Sequence, residues 1–241
     1  MSKEKLLYLL FPVLGVVGFF LRLSQLQFGF DRETGLAAVY FPPGAVLLLL
    51  AAVLCLAACA VSFMLPVCAP AKSPEQHRVP RIVHTATAIL TALMGLLLLP
   101  SGLSGSRLDL LLALASICTA LYFLLAPYAG KGLRSFCFIE YTLFYVAWLV
   151  VLFSRHASDP VLMGFWPPLL ALCATVFSFY FLACAACDLK KPRRCLFSLL
   201  LGGSLCLIAA ADGSTPYHCG FLAAALIQLF YTYTLLFYAN K

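Results

Sequence analysis

Charge is what this sequence has least of. Only 10% of its 241 residues are charged, whereas a soluble domain carries about 25%. Hydrophobic residues make up 63% of the chain, above the roughly 45–50% that is typical of soluble domains. The chain therefore lacks the polar surface that a water-soluble protein of this length needs.

Familiar catalytic and nucleotide-binding motifs are also missing. The sequence contains no Walker loop, no HExxH, no GxSxG and no GxGxxG. An enzyme built on this chain would have to assemble its site inside the membrane, which usually needs paired carboxylates for a metal, or a nucleophile with a base. The missing motifs disfavour an enzyme, and we expect no cofactor.

The eleven cysteines do not form the pattern of a disulfide framework. Most lie inside apolar runs, where a thiol behaves as a small hydrophobic side chain. Cys184 and Cys187 form a C-x-x-C pair at the end of an apolar run, so metal binding by these two thiols is an alternative. Because no second pair and no histidine pair lies nearby in the sequence, we expect no metal site there.

Apolar runs near 20 residues recur along nearly the whole chain, and each can cross a hydrocarbon core about 30 Å thick. The runs lack the alternation of a transmembrane strand, which favours helices over a barrel. We predict an all-α, polytopic membrane bundle that forms a single transmembrane domain over residues 1–241. Its eight predicted spans cover residues 6–23, 44–66, 82–99, 108–127, 135–153, 161–187, 195–211 and 217–238.

Basic residues are distributed unevenly between the two sides of such a bundle. Eight spans place both termini on one side, which holds Lys3, Lys5, Lys72, Arg78, Arg81, Lys131, Arg134, Lys190, Lys191, Arg193, Arg194 and Lys241. The opposite side holds only Arg22, Arg32, Arg107 and Arg155. Since basic loops stay in the cytoplasm, we expect a multi-pass protein of the cell membrane with both termini cytoplasmic.

The densest charge cluster is the loop 188–194, with the sequence DLKKPRR. Its basic side chains are expected to contact anionic lipid headgroups on the cytoplasmic side or an acidic partner. These side chains are Lys190, Lys191, Arg193 and Arg194. The net charge of +7 does not indicate nucleic acid, because the positive residues lie in short loops beside spans. The expected partners are the bilayer and, as a further candidate, another membrane protein or a second copy of the chain.

Ionisable residues inside the spans are rare, and each is a candidate functional residue. Glu140 lies about two turns into the fifth span, and His84 lies at a similar depth in the third. With Tyr141, Tyr231 and Tyr233 they form a candidate substrate or proton site that opens to the cytoplasm. The alternative is that His84 and Glu140 satisfy each other or reach interfacial water, while their helices simply pack.

Small and polar residues share one face of the third span, which we expect to pack against protein rather than lipid. They are His84, Thr87, Ala88, Thr91 and Gly95. Close helix contacts are also expected at Gly15 and Gly18 and at Gly202 and Gly203.

Two helix starts carry capping signals. Ser106 is predicted to cap the fourth span with Asp109 three residues on, which explains Asp109 without a catalytic role. Asp159 followed by Pro160 is predicted to begin the sixth span. In contrast, Pro100 is predicted to end the third span.

The connection after the first span is a weaker candidate site. Arg22, Gln25, Asp31 and Glu33 could line an outer mouth of the bundle. The alternative is that Arg22 extends to the interface and the other residues form a solvated turn.

These observations support two functions. The first is a small transporter or permease-like protein with a cytoplasm-facing polar site. The second is a non-catalytic accessory or structural subunit of a membrane complex, or a lipid-binding membrane protein. An enzyme acting on a lipid or prenyl substrate has the least support, because Glu140 is the only carboxylate well inside a predicted span.

Overall fold

The computed structural model describes residues 3–30, 42–64, 78–156, 165–187, 189, 191–212 and 215–237. These residues form eight α-helices and no strand. The helices are α1 (Lys3–Phe28), α2 (Pro42–Met64), α3 (Arg78–Leu103), α4 (Arg107–Leu125), α5 (Lys131–His156), α6 (Trp166–Ala186), α7 (Pro192–Ala209) and α8 (Thr215–Phe237). A short 3-10 turn, Ala126–Tyr128, follows α4.

All eight helices are long and apolar enough to cross a membrane. This confirms the predicted all-helical, multi-span architecture. The helix ends differ from the predicted spans by a few residues. Helices α1, α3 and α5 extend past the predicted segment at both ends, whereas α6 is shorter at both ends. Helix α1 continues past residue 23 to Phe28 through a polar last turn.

Two boundary predictions need correction. Helix α3 does not end at Pro100 but continues through it to Leu103. Pro100 leaves the Leu96 carbonyl, four residues earlier, without its amide donor, and membrane helices tolerate such an interior proline. Helix α6 begins at Trp166, with prolines in its first turn, rather than at 161. The predicted cap at Asp159 lies outside the described residues. The Ser106 cap is confirmed, since its side chain accepts from the Asp109 amide.

Contacts between helix ends show how the helices alternate in direction. Tyr8 near the start of α1 donates to the Leu229 carbonyl in the last turns of α8. Arg193 at the start of α7 lies over the Phe63 ring at the end of α2. We call this the terminal end of the bundle, because the starts of odd-numbered helices and the ends of even-numbered helices lie there. We call the other the distal end.

Helices α7 and α8 are the most buried, whereas α1 and α2 lie at the periphery. Glycines allow close approach, as predicted. A Cβ on Gly15 would lie 2.8 Å from the Leu207 side chain of α7, and one on Gly95 would lie 2.9 Å from the Ala113 carbonyl of α4. The predicted protein-facing side of α3 is buried over its whole length, which confirms that prediction.

A polar network joins α6, α7 and α8 inside the bundle. The Gln228 amide nitrogen donates to the Thr175 hydroxyl at 2.9 Å, and its oxygen accepts from the Ser178 hydroxyl at 3.0 Å. Cys206 lies 3.1 Å from the Thr175 hydroxyl. Gly202 leaves the space that the Gln228 side chain occupies. These groups satisfy one another, so the network fixes the helix packing.

Candidate functional site

The His84 and Glu140 predictions fall in one region at the terminal end, where α3, α4, α5 and α8 meet. Helix α3 packs against both α4 and α8, and α4 packs against α5. Helix α3 presents its small, polar side to these neighbours because that side lets the backbones approach closely. This places His84 opposite the last turns of α8.

His84 is buried and bonded to α8. Its Nε2 atom lies 2.9 Å from the Tyr231 hydroxyl, and its ring also packs edge-on against Tyr231. The other ring nitrogen, Nδ1, has no hydrogen-bond partner among the described residues. The sequence prediction that places His84 and Tyr231 in one site is consistent with this contact.

Glu140 reaches α4 instead of His84. The Thr119 hydroxyl lies 2.8 Å from Glu140 Oε1, and Glu140 Oε2 has no hydrogen-bond partner among the described residues. Direct pairing of His84 with Glu140, the packing alternative considered above, is therefore absent from the described structure. No described basic side chain forms an ion pair with Glu140.

Aromatic rings connect the two groups. Phe123 of α4 stacks on Tyr141 of α5, with ring centroids 3.9 Å apart, and its ring also packs 6.3 Å from the ring of His84. Phe138 contacts both Tyr141 and Tyr231, at 6.0 and 5.5 Å between centroids. We define the terminal cluster as His84, Thr119, Phe123, Phe138, Glu140, Tyr141 and Tyr231.

The terminal cluster concentrates unsatisfied polar atoms. Four buried side-chain atoms in the described part of the chain have no hydrogen-bond partner, and three belong to this cluster. They are His84 Nδ1, Glu140 Oε2 and the Tyr141 hydroxyl; the fourth is Trp148 Nε1. An unsatisfied buried polar group costs about 1–3 kcal/mol, so three in one cluster indicate a place for a proton, water or a ligand.

Tyr233 does not join the terminal cluster. It is 38% exposed and packs against Tyr8 and Phe237, with centroid distances of 5.8 and 4.8 Å. Thr119, Phe123 and Phe138 do belong to the cluster, although the sequence prediction omitted them. Thr119 offers a signal, because it is a polar residue in the fourth span at about the depth of Glu140.

At the distal end Arg22 is buried instead of extended to the interface. Its Nε and Nη2 atoms lie 2.9 and 2.5 Å from Asp212 Oδ1, and its Nη1 donates to Gln25 Oε1 at 2.6 Å. The sequence analysis grouped Arg22 with Gln25 in one candidate outer mouth but did not identify Asp212 as a partner. Asp31 and Glu33, the other residues of the predicted outer mouth, lie outside the described residues.

A second ion pair at the distal end was also missed. Arg155 at the end of α5 forms a salt bridge with Asp109 at the start of α4. Arg155 Nη1 lies 2.5 Å from the Tyr217 hydroxyl of α8. The Tyr217 hydroxyl also lies 3.5 Å from Asp109 Oδ1, so Asp109 links α4, α5 and α8 in addition to its place in the α4 cap. One distal pair joins α1 to the residues after α7, and the other joins the consecutive helices α4 and α5, so both hold this end of the bundle together.

The other described residues that were predicted to contact lipid headgroups, a partner or a metal lie at the terminal end. Lys191, Arg193 and Arg194 are exposed around the start of α7, while Lys190 lies outside the described residues. Cys187 donates to the Ser135 hydroxyl at 3.4 Å. No group of three or more potential metal ligands occurs among the described residues that include Cys184 and Cys187. The cysteines in that part of the chain are free thiols.

Comparison with known proteins does not add a relationship: no protein-family model, no curated protein and no solved structure matches the chain.

Proposed function

We propose that this protein is a small, proton-linked transporter whose solute site is the terminal cluster. One observation carries the proposal: His84 Nδ1, Glu140 Oε2 and the Tyr141 hydroxyl are buried together without hydrogen-bond partners. A cluster that served packing alone would be expected to satisfy its polar atoms, as the Gln228 network does. Ionisable groups of this kind mark ion and proton pathways in membrane proteins.

Glu140 is the residue best suited to couple the solute to a proton. A carboxyl inside a span is costly as an isolated charge, so it holds either a proton or a partner. A solute that binds the carboxylate displaces the proton, and the two movements become linked. His84 and Tyr231 form the second polar pair in the site and orient one another across α3 and α8.

The orientation follows from the charge bias. The terminal end carries the basic loops, including the exposed Lys191, Arg193 and Arg194 around α7. The positive-inside rule then places this end in the cytoplasm, against anionic headgroups of the cell membrane. In this orientation the terminal cluster opens to the cytoplasm, and the two distal ion pairs close the outer side.

Glu140→Gln tests the proposal, because it keeps the side-chain shape and removes the proton-binding carboxylate. Proteoliposomes loaded with the pH dye pyranine would be challenged with a panel of amines, amino acids, carboxylates and sugars. We expect at least one solute to drive proton movement in wild type, and Glu140→Gln to abolish that movement. Tyr233→Phe, outside the terminal cluster, serves as the matched control and is expected to behave as wild type.

Two results would contradict the proposal. The first is a Glu140→Gln variant that moves the identified solute at the normal rate with the normal pH dependence. The second is co-release of another membrane protein at fixed stoichiometry in native mass spectrometry from lipid nanodiscs, combined with no solute response. That combination would support the accessory-subunit alternative instead.

A further inference from the structure

The acidic side chains of the described residues differ in their partners. Asp212 pairs with Arg22, and Asp109 pairs with Arg155. Glu140 has a hydroxyl donor, Thr119, but no basic partner among the described residues. Glu140, which is half-buried, is therefore the exception among these three carboxylates.

Thr119 fixes one oxygen of Glu140 and leaves the other available. The Thr119 hydroxyl binds Oε1, and Oε2 is buried with no partner. Removing a carboxylate from water without a compensating charge is costly. A proton on Glu140 neutralises the charge, and so does a ligand that brings a positive group to Oε2.

Aromatic side chains lie in the neighbouring turns of α4 and α5. Phe123 lies one turn after Thr119 on α4, and Tyr141 follows Glu140 on α5, so the stacked rings adjoin the Thr119–Glu140 bond. Phe138 and Phe179 contact Tyr141 edge-on, at 6.0 and 5.4 Å between centroids. Aromatic faces attract alkylammonium groups through the cation–π interaction, which is strongest where water is excluded.

We propose that the terminal cluster binds an organic ammonium group, with Glu140 as its counter-ion and the rings of Phe123 and Tyr141 as its aromatic wall. This inference rests on the proposed transport function and names its substrate class. The ammonium group belongs either to a soluble amine or to the headgroup of an amino lipid. The unpartnered Tyr141 hydroxyl and His84 Nδ1 are then available to the polar groups of the same ligand.

A quaternary ammonium probe tests the charge requirement, because its charge does not change with pH. Benzyltrimethylammonium would be compared with neopentylbenzene, its neutral isostere, by equilibrium binding to the full chain in maltoside micelles. We expect saturable binding of the cation on the order of tenfold tighter than that of the neutral probe. Glu140→Gln is expected to remove this preference.

The aromatic wall is tested separately, which keeps the proposal testable if Glu140→Gln does not fold. Tyr141→Leu is expected to weaken cation binding more than Tyr141→Phe, because only leucine removes the ring. Tyr233→Leu removes an aromatic ring outside the terminal cluster and serves as the control with normal binding. Displacement of the probe by a short-chain phosphatidylethanolamine would identify a lipid headgroup. Displacement by choline, with no displacement by the phosphatidylethanolamine, would identify a soluble amine.

Equal binding of the two probes would overturn the ammonium proposal, as would normal cation binding by a folded Glu140→Gln variant. Equal binding combined with a proton-linked flux that Glu140→Gln abolishes would leave the transport function intact and reject only the substrate class. A cation preference in wild type without any flux would have the opposite meaning: the ammonium site would stand and transport would fail.

Discussion

Arg22 shows how much a single residue can contribute to the bundle. Its side chain is completely buried in α1 and forms several hydrogen bonds to Asp212, which follows α7. A guanidinium at this depth depends on its carboxylate, because an unpaired buried charge is strongly unfavourable. The pair therefore holds a peripheral helix to the most buried part of the molecule.

Asp212→Ala is expected to destabilise the protein by about 3–5 kcal/mol, because it removes a carboxylate that bonds the buried Arg22 guanidinium. Unfolding in mixed detergent micelles measures this difference. The double variant Arg22→Met with Asp212→Leu is expected to recover most of the loss, since it removes both charges. A loss in the double variant equal to that in Asp212→Ala would show that the missing charge partner is not the cause.

The sequence identified His84 and Glu140 but not their partners. Depth along each span is readable from sequence, so both residues could be placed at one level of the membrane. Which helices are neighbours is not readable in this way, and Glu140 pairs with Thr119 rather than His84. The separation of Tyr231 from Tyr233 was predictable, because residues two apart point to different sides of a helix.

At the scale of elements, Gly202 and Gln228 make α7 and α8 interdependent. A Cβ on Gly202 would overlap the Gln228 amide oxygen and lie 3.1 Å from the Ser178 hydroxyl. The Gln228 side chain cannot move freely, since it bonds both Thr175 and Ser178. The packing of α7 against α8 and the hydrogen bonds of Gln228 therefore depend on each other.

Gly202→Ala is expected to destabilise the bundle by about 1–3 kcal/mol through overpacking. In a Gln228→Ala background the same change is expected to cost less, because the overlapping amide is gone. A double-mutant cycle of unfolding free energies measures the coupling, expected at about 0.5–3 kcal/mol. Gly130→Ala, with no atom within 4 Å of the new Cβ, is the control and should change little. Additive effects of the two changes would contradict the proposed contact.

Helix existence was more predictable than helix ends. Eight apolar runs gave eight helices, because each run alone satisfies the membrane's demand for length and apolarity. The end of α3 was missed because local rules for proline apply to soluble helices more strictly than to membrane helices. The Ser106 cap was predictable, since the two residues in contact, Ser106 and Asp109, are only three apart in the sequence.

At the scale of the whole molecule, the two ends of the bundle differ in chemistry. The distal end has two ion pairs, which join α1 to the residues after α7, and α4 to α5. The terminal end has unsatisfied polar atoms inside and exposed basic residues around it. This difference is the feature on which the proposed transport function and its orientation rest.

The last prediction concerns which end of the bundle faces the cytoplasm. Because basic loops resist translocation, the terminal end is expected in the cytoplasm of a bacterial expression host. Green fluorescent protein fused after residue 130, between α4 and α5, should fluoresce, and alkaline phosphatase there should be inactive. After residue 105, between α3 and α4, the two reporters should behave in the opposite way. The reverse pattern at both positions would place the terminal cluster on the outer side, and the proposed site would then have to receive its solute from outside the cell.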